Sequence, residues 1–338
     1  MMKKLLISIP LALLLITTSV WGTLALYFGD SETGLLQICL ASAFGLFSFV
    51  ALIGLLRSRW RYRWLFGHMA VFMLVLLWWL NISPSNDRDW QADVSKLPFA
   101  TIDGNKVTMH NIRNFDYRSE FDYTPAYYDK TFDIDKLNGV DLFAFYWMGP
   151  AIAHTILSFD FADQGSLAVS IETRKQNNEE YSTIKGFFRQ YELIYIVADE
   201  RDVIRLRTNY RHNPPEDGYL YKGLGSQVNA QRLFLEYVKQ INELHDKPTF
   251  YNTLLDNCTI AIWFRTMVNN EHLPFSWKIL VSGYLPEYLY ESKRIEQQKS
   301  FAELQQQAHI NQRAQAADKS ADFSKQIRAS SPIEQEPK

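Results

Sequence analysis

Three apolar runs fill the first quarter of this 338-residue chain, at residues 5–28 (LLISIPLALLLITTSVWGTLALYF), 35–56 (LLQICLASAFGLFSFVALIGLL) and 64–82 (WLFGHMAVFMLVLLWWLNI). Each supplies about the 20 apolar residues that cross a hydrocarbon core of about 30 Å. A secretory signal has an apolar core of about 7–15 residues followed by a small-residue cleavage site. The first run is longer and shows no such site, so three transmembrane helices are expected over residues 1–82. Lys3 and Lys4 precede the first run, and Arg57, Arg59, Arg61 and Arg63 fill the connection between the second and third, whereas residues 29–34 carry acids and no bases. The positive-inside rule then places the N-terminus in the cytoplasm and everything after residue 82 outside it. Trp60, Trp64, Trp78 and Trp79 mark the ends of the third span as an aromatic belt. His68, inside that span, reads as a tolerated or interfacial residue.

Residues 83–94, polar and containing Pro84, read as a linker. Residues 95–290 read as one mixed α/β (α+β) domain. Segments 141–149, 151–160, 167–174 and 191–199 are rich in β-branched and aromatic residues and bounded by Gly, Pro and Asp, the pattern of strands. Leu233, Phe234, Tyr237, Val238, Ile241 and Leu244 recur at helical spacing. A second helix is expected to start at Asp256 or Asn257, both good N-caps, and to run through CTIAIWFRTMV. Beyond residue 290, Gln, Ala, Ser and Lys dominate, and residues 291–338 read as a polar, solvated helix passing into a disordered tail. The net charge of −2 lacks the basic excess of a nucleic-acid-binding protein. No zinc-type Cys or His spacing and no Gly-rich phosphate loop appears, so neither metal nor cofactor is expected.

The chain has two cysteines, Cys39 within a span and Cys258 in FYNTLLDNCT. They cannot easily bridge, and an unpaired exported cysteine is either a reactive thiol or a buried inert one. A place in the first turn of a helix favours the thiolate. A thiolate nucleophile needs a base. Of seven histidines, His68 is in the membrane and His309 in the tail, while His110, His212 and His245 fall in exposed settings. His272, in the loop after the cysteine helix, is a weaker candidate than His154, which interrupts the apolar strand IAHTILSF. Such pairs want a third polar group to fix the imidazole. Glu172 on the next strand can serve if strand parity brings it beside His154, and it can equally be a surface partner of Arg174. Asp160 and Asp199 are the other acids to weigh.

The segments HNIRNFDYRSEFDYTPAYYDKTFDIDKLNGVDLF, AIAHTILSFDF, SIETRK, GFFRQYELIYIVADERDVIRLRTNYR and FYNTLLDNCT together resemble one family. It is named for the N-terminal periplasmic domain of Lnb, a bacterial lipoprotein N-acyltransferase, and the resemblance spans roughly residues 98–273. That family is similar to the permuted papain-like proteins of the NlpC/P60 group, in which the histidine strand precedes the cysteine helix. The resemblance implies an antiparallel sheet packed on helices. It also implies Cys258 as nucleophile, His154 as base and Glu172 as orienting acid. The resemblance sets the domain at the periplasmic face of a bacterial inner membrane, with membrane phospholipid and lipoprotein as partners. It implies transfer of an acyl chain from a phospholipid or lipoprotein ester through a Cys thioester onto a lipoprotein amine or related acceptor. A thiol peptidase or amidase cutting cell-wall peptides, and a catalytically silent binding module, are the competing readings.

For such a reaction Asn252, Asn257 or Tyr251 could donate a hydrogen bond to the oxyanion, or could serve only as loop and cap residues. Arg174, Arg201, Arg205 and Arg207 offer themselves to a lipid headgroup. Arg205 and Arg207 alternate with apolar residues, so a solvent face pairing with Asp199, Glu200 and Asp202 is the simpler expectation.

Overall fold

The structure, a computed structural model, describes residues 2–29, 34–57, 59–177, 179–255 and 257–329. The chain divides into two units: Met1–Arg88 with Asn178–Glu192 and Thr249–Thr253, and Asp89–Asn177 with Leu193–Pro248 and Leu254–Lys338.

In the first unit the apolar runs become α1 (Met2–Phe28), α2 (Leu35–Arg57) and α3 (Arg61–Leu80), all long and apolar enough to span a membrane. Large residues such as Leu13, Leu36, Leu46, Phe49, Phe66 and Leu74 are exposed, as a lipid-facing surface requires, while Leu15, Phe44, Ala51, Leu55 and Leu65 pack inward. His68 is neither interfacial nor simply tolerated. It is fully buried between the three helices, Nε2 at 3.0 Å from Thr18 Oγ1 of α1 and Nδ1 at 3.4 Å from Ser48 Oγ of α2. Without water, its polar atoms need those hydroxyls.

The second unit is a mixed α/β domain on a mostly antiparallel sheet. Its strands are β1 (Phe99–Asp103), β2 (Lys106–Arg113), β5 (Tyr127–Asp133), β6 (Gly139–Tyr146), β7 (Ala153–Asp160), β8 (Ser166–Arg174), β9 (Glu192–Ala198) and β10 (Asp217–Lys222). They run in the order β1-β2-β9-β8-β7-β6-β10, with β5 added to β2. The ribbon β3 (Asp116–Tyr117) with β4 (Tyr123–Thr124) stands apart from it. The four expected strands appear as β6 to β9.

Helices follow as α4 (Glu200–Arg205, continued by a π turn over Leu206–Tyr210), α5 (Gln227–Asp246), α6 (Cys258–Thr266), α7 (Trp277–Leu280) and α8 (Leu285–Glu291). The chain closes with α9 (Phe301–Ala308), α10 (Asn311–Ala316) and α11 (Phe323–Gln326). Ser226 caps α5 by accepting from Asn229 N–H, and all six residues expected on its apolar stripe are buried. Phe159 of β7 meets Phe234 and Tyr237 of α5 edge-on, at 5.2 and 5.5 Å.

Two expected boundaries need correction. The linker at residues 83–94 ends early, because Trp90 and Val94 are core residues. The tail is helical but not solvated up to residue 329. Ile310, Ala314, Ala317, Phe323 and Ile327 pack with Phe143, Phe145, Ile156 and Ile194 in one buried cluster. Arg328 locks this strap by reaching Asp141 (2.8 Å) and Glu200 (2.6 Å). Single apolar residues spaced through a polar stretch were enough to bury it. Residues 330–338 lie outside the described residues.

Candidate active site

The site starts at a helix cap. Asn257 takes an extended conformation, and its side-chain oxygen accepts from Thr259 N–H (3.1 Å) and Ile260 N–H (2.9 Å). Cys258 is therefore the first residue of α6, in the turn where backbone N–H groups lack intrahelical partners and the dipole favours negative charge. Asp256, the alternative cap, is outside the described residues. Thr259, fully buried, ties this turn to β7 through Thr155, with 3.2 Å between their hydroxyls.

His154 neighbours Thr155 on β7, and register answers the question of parity. Ile156 pairs with Ser170 on the antiparallel strand β8. Two residues farther along each strand, His154 comes opposite Glu172, and Ser170 shares their face. The contacts follow from that register. His154 Nε2 is 2.7 Å from Ser170 Oγ and 3.5 Å from Glu172 Oε1, and Ser170 Oγ donates to Glu172 Oε1 at 2.7 Å. An ionised carboxylate only accepts, so the serine proton points at Glu172 and Nε2–H donates to the serine oxygen. With Nε2 so engaged, Nδ1 is the nitrogen left to meet the Cys258 thiol, with which the ring is hydrogen-bonded.

Behind the carboxylate lies a row of alternating charges. Arg207 Nη2 donates to Glu172 at 3.2 Å and Nη1 to Glu216 at 2.9 Å; Arg211 reaches Glu216 at 2.7 Å and Glu120 at 3.3 Å. Arg207 and Glu216 are each only 6% exposed at the side chain, so these pairs are little screened.

Electrostatics poise the pair. Burial opposes a thiolate at Cys258, but the charge and hydrogen bond of His154, with hydrogen bonds from Thr155, override it and lower the thiol from 9.0 to about 6. Burial and Arg207 oppose the imidazolium of His154, yet Cys258 and Glu172 raise its pKa above the ordinary value. For Glu172 burial is likewise outweighed, by the His154 hydrogen bond and the charges of Arg207, His154 and Arg211, which hold it well below the usual carboxylate range. The arrangement favours a thiolate–imidazolium pair near neutral pH, the form that attacks carbonyl carbon.

Cys258, His154 and Glu172 thus come together as expected, and two functional neighbours were missed. Ser170 had a readable signal, since it lies two residues before Glu172 on one strand and must share its face. Arg207 had none, because its approach depends on the π turn after α4. Asp160 and Asp199 do not join the site: Asp160 caps Ala162 N–H (3.0 Å) and Asp199 accepts from the Tyr128 hydroxyl (2.7 Å). Asn257 serves as the cap of α6. Tyr251 and Asn252 belong to the membrane unit, where Tyr251 N–H donates to Tyr191 O at 2.9 Å.

The expected headgroup arginines are corrected. Arg174 is buried, stacked 4.2 Å over Trp90 and donating to the Val94 and Ser95 carbonyls. Arg205 is fully buried and held by Asp116 and the Asp318 carbonyl, and Arg207 by Glu172 and Glu216. Only Arg201 is half-buried, 3.5 Å from Asn114 Oδ1. Nor do Arg205 and Arg207 form a solvent face with Asp199, Glu200 and Asp202. Those acids serve Tyr128, Arg328 and Arg113 respectively.

The model of the family described as the Lnb N-terminal periplasmic domain matches residues 123–283, a stretch that holds β7, β8 and α6. Comparisons with curated proteins and with solved structures gave no match. By that match, residues 123–283 form a domain of the family described as the Lnb N-terminal periplasmic domain.

Proposed function

We propose that the protein is a membrane-anchored thiol acyltransferase whose N-terminus is cytoplasmic and whose second unit works in the periplasm. The observation that carries this reading is the Cys258–His154–Ser170–Glu172 chain, with its thiol lowered to about 6 at the start of a helix. The order of that chain, histidine strand before cysteine helix, supports a permuted papain-like arrangement. Lys3, Lys4 and the arginines around residues 57–63 support the orientation.

The Cys258 thiolate attacks the ester carbonyl of a phospholipid acyl chain, forming a C–S bond and a tetrahedral oxyanion. The backbone N–H of Cys258, at the helix start, can donate to that oxygen; one such donor is worth about 10²–10³ in rate. Collapse breaks the acyl C–O bond, and the His154 imidazolium gives its proton to the departing glycerol oxygen. The lipoprotein amine then attacks the thioester, His154 takes the amine proton, and the C–S bond breaks to return the thiolate. Ser170 and Glu172 hold Nε2 throughout, keeping Nδ1 on the reacting atoms.

The test is incubation of the purified full chain with phospholipid vesicles and a diacyl lipopeptide, read by mass spectrometry. One added acyl chain on the peptide amine, with an equal amount of lyso-phospholipid, is expected. Release of muropeptide fragments without acyl transfer would replace this reading with an amidase. No change in either substrate by a chain whose Cys258 alkylates normally would leave a binding module.

A further inference from the structure

Segments 179–192 and 249–253 lie far along the chain from α1–α3, yet fold with them. The sequence GFFRQYE supplies the reason. The buried Phe188 ring lies 6.1 Å from Trp21 and 6.2 Å from Phe28 of α1. Beside it, Arg189 Nη1 donates to the carbonyls of Trp79, Leu80 and Ile82, at 2.9, 3.1 and 3.1 Å. The last carbonyls of a helix lack partners and carry the negative end of its dipole, so a cation is well placed there. The guanidinium also stands 4.1 Å over the Trp79 ring and 5.6 Å from that of Phe250. Arg189 holds a left-handed φ of 62°, a strain on a non-glycine residue that these contacts offset.

Segment 249–253 is layered on this loop. Glu192 forms a β-bridge with Phe250, Tyr251 N–H donates to Tyr191 O (2.9 Å), Thr253 N–H to Gly186 O (3.3 Å) and Thr253 Oγ1 to Thr183 O (3.0 Å). The same loop exposes Tyr181, Ile184 and Phe187, an aromatic and apolar triplet suited to the interfacial zone of a bilayer. Cys258 follows Thr253 by five residues, a reach of at most about 18 Å of extended chain.

We propose that the loop over residues 181–189 is a bilayer-interface anchor, with Arg189 as its positioning residue. It holds segment 249–253, which precedes Cys258 by five residues in the chain, at the lipid surface. Its consequence for catalysis rests on the acyl-transfer reading; the anchoring itself does not. An anchored thiol meets an ester carried by the bilayer and gains no advantage with a small solute.

Two measurements on the full chain in phospholipid nanodiscs test this. In the first, a bimane probe on Ile184→Cys, with Cys39→Ala and Cys258→Ala, is quenched by spin-labelled lipid. Arg189→Ala should cut that quenching about threefold, as should Phe187→Asp, an exposed substitution that leaves the core alone. In the second, with both native cysteines present, Arg189→Ala should slow acyl transfer from bilayer phospholipid about tenfold. Alkylation of Cys258 by iodoacetamide should stay within about twofold, and Arg189→Lys should recover part of the transfer. An unquenched probe, quenching unchanged by Arg189→Ala, or an equal fall in transfer and alkylation each overturns the anchor. If the quenching pattern holds while even the unsubstituted chain transfers no acyl group, the acyl-transfer reading fails and the anchor stands.

Discussion

His68 and His154 are both buried histidines in apolar surroundings, one in the membrane bundle and one at the sheet. His68 meets only hydroxyls, Thr18 on one ring nitrogen and Ser48 on the other, and aromatic rings of Phe44, Phe47 and Phe72 lie around it. His154 meets a thiol on one side and a serine-bridged carboxylate on the other, and that carboxylate is itself gripped by Arg207. Burial is common to both and decides nothing. Partners that can exchange a proton and carry charge separate a poised base from a polar residue that ties three helices together.

The comparison breaks first at the thiol. Cys258→Ala should abolish acyl transfer to lipopeptide, leaving less than about 10⁻³ of the rate, because it removes the thiolate that forms the thioester. Full activity in that variant would remove His154 from any reaction. Next comes pH. Alkylation of Cys258 should be half-maximal near pH 6, level off above it, and fall about tenfold per unit below as the thiolate takes up a proton. In His154→Ala the thiol loses the charge and hydrogen bond that oppose burial most and keeps only those of Thr155, so its pKa rises. Alkylation at pH 7 should then drop by about 10²-fold, whereas a profile unmoved by the substitution would make the pairing irrelevant to reactivity.

How much of this was legible in the sequence differs between the two histidines. The spans, the four central strands, the cap at Asn257 and the candidacy of Cys258, His154 and Glu172 follow from local signals: apolar length, alternation, a capping residue, a lone thiol and a histidine in an apolar strand. His68 was misjudged because its meaning lies in Thr18 and Ser48, each on another helix, and helix–helix register is not written locally. Arg205 and Arg207 failed for a related reason. Their alternation with apolar residues suggested a wet face, but the π turn over Leu206–Tyr210 and the C-terminal strap cover that face. The strap was invisible because its buried residues, Ile310, Ala314, Phe323 and Ile327, are single apolar positions in a polar run. The ribbon and β1, β2, β5 and β10 are short or polar along one face, so alternation alone did not raise them above loop.

A finer division is expected among the partners of His154. Glu172→Gln removes the charge that favours the imidazolium and should lower transfer about 10²-fold, shifting the alkaline limb of the pH profile downward. Ser170→Ala removes the hydroxyl that links His154 Nε2 to Glu172 but keeps the carboxylate charge, so it should cost only about tenfold while leaving that limb nearly in place. Equal effects on rate and on the alkaline limb would mean that the serine proton, and not the carboxylate charge, controls the ring.

The smallest effect is expected at His68, and it sharpens the contrast most directly. In His68→Leu the Thr18 hydroxyl keeps its bonds to the Leu14 and Leu15 carbonyls, at 2.8 and 3.1 Å, so only the long contact from Ser48 is lost without a replacement from the same helix. Interhelical hydrogen bonds in membranes average about 0.6 kcal/mol, and a leucine restores apolar packing, so unfolding of the full chain in nanodiscs should shift by less than about 1 kcal/mol. Transfer and the alkylation profile of Cys258 should be unchanged. A His68→Leu chain that folds normally but transfers no acyl group would invert the comparison. The intramembrane histidine would then carry a functional proton, as ionisable residues inside membranes often do.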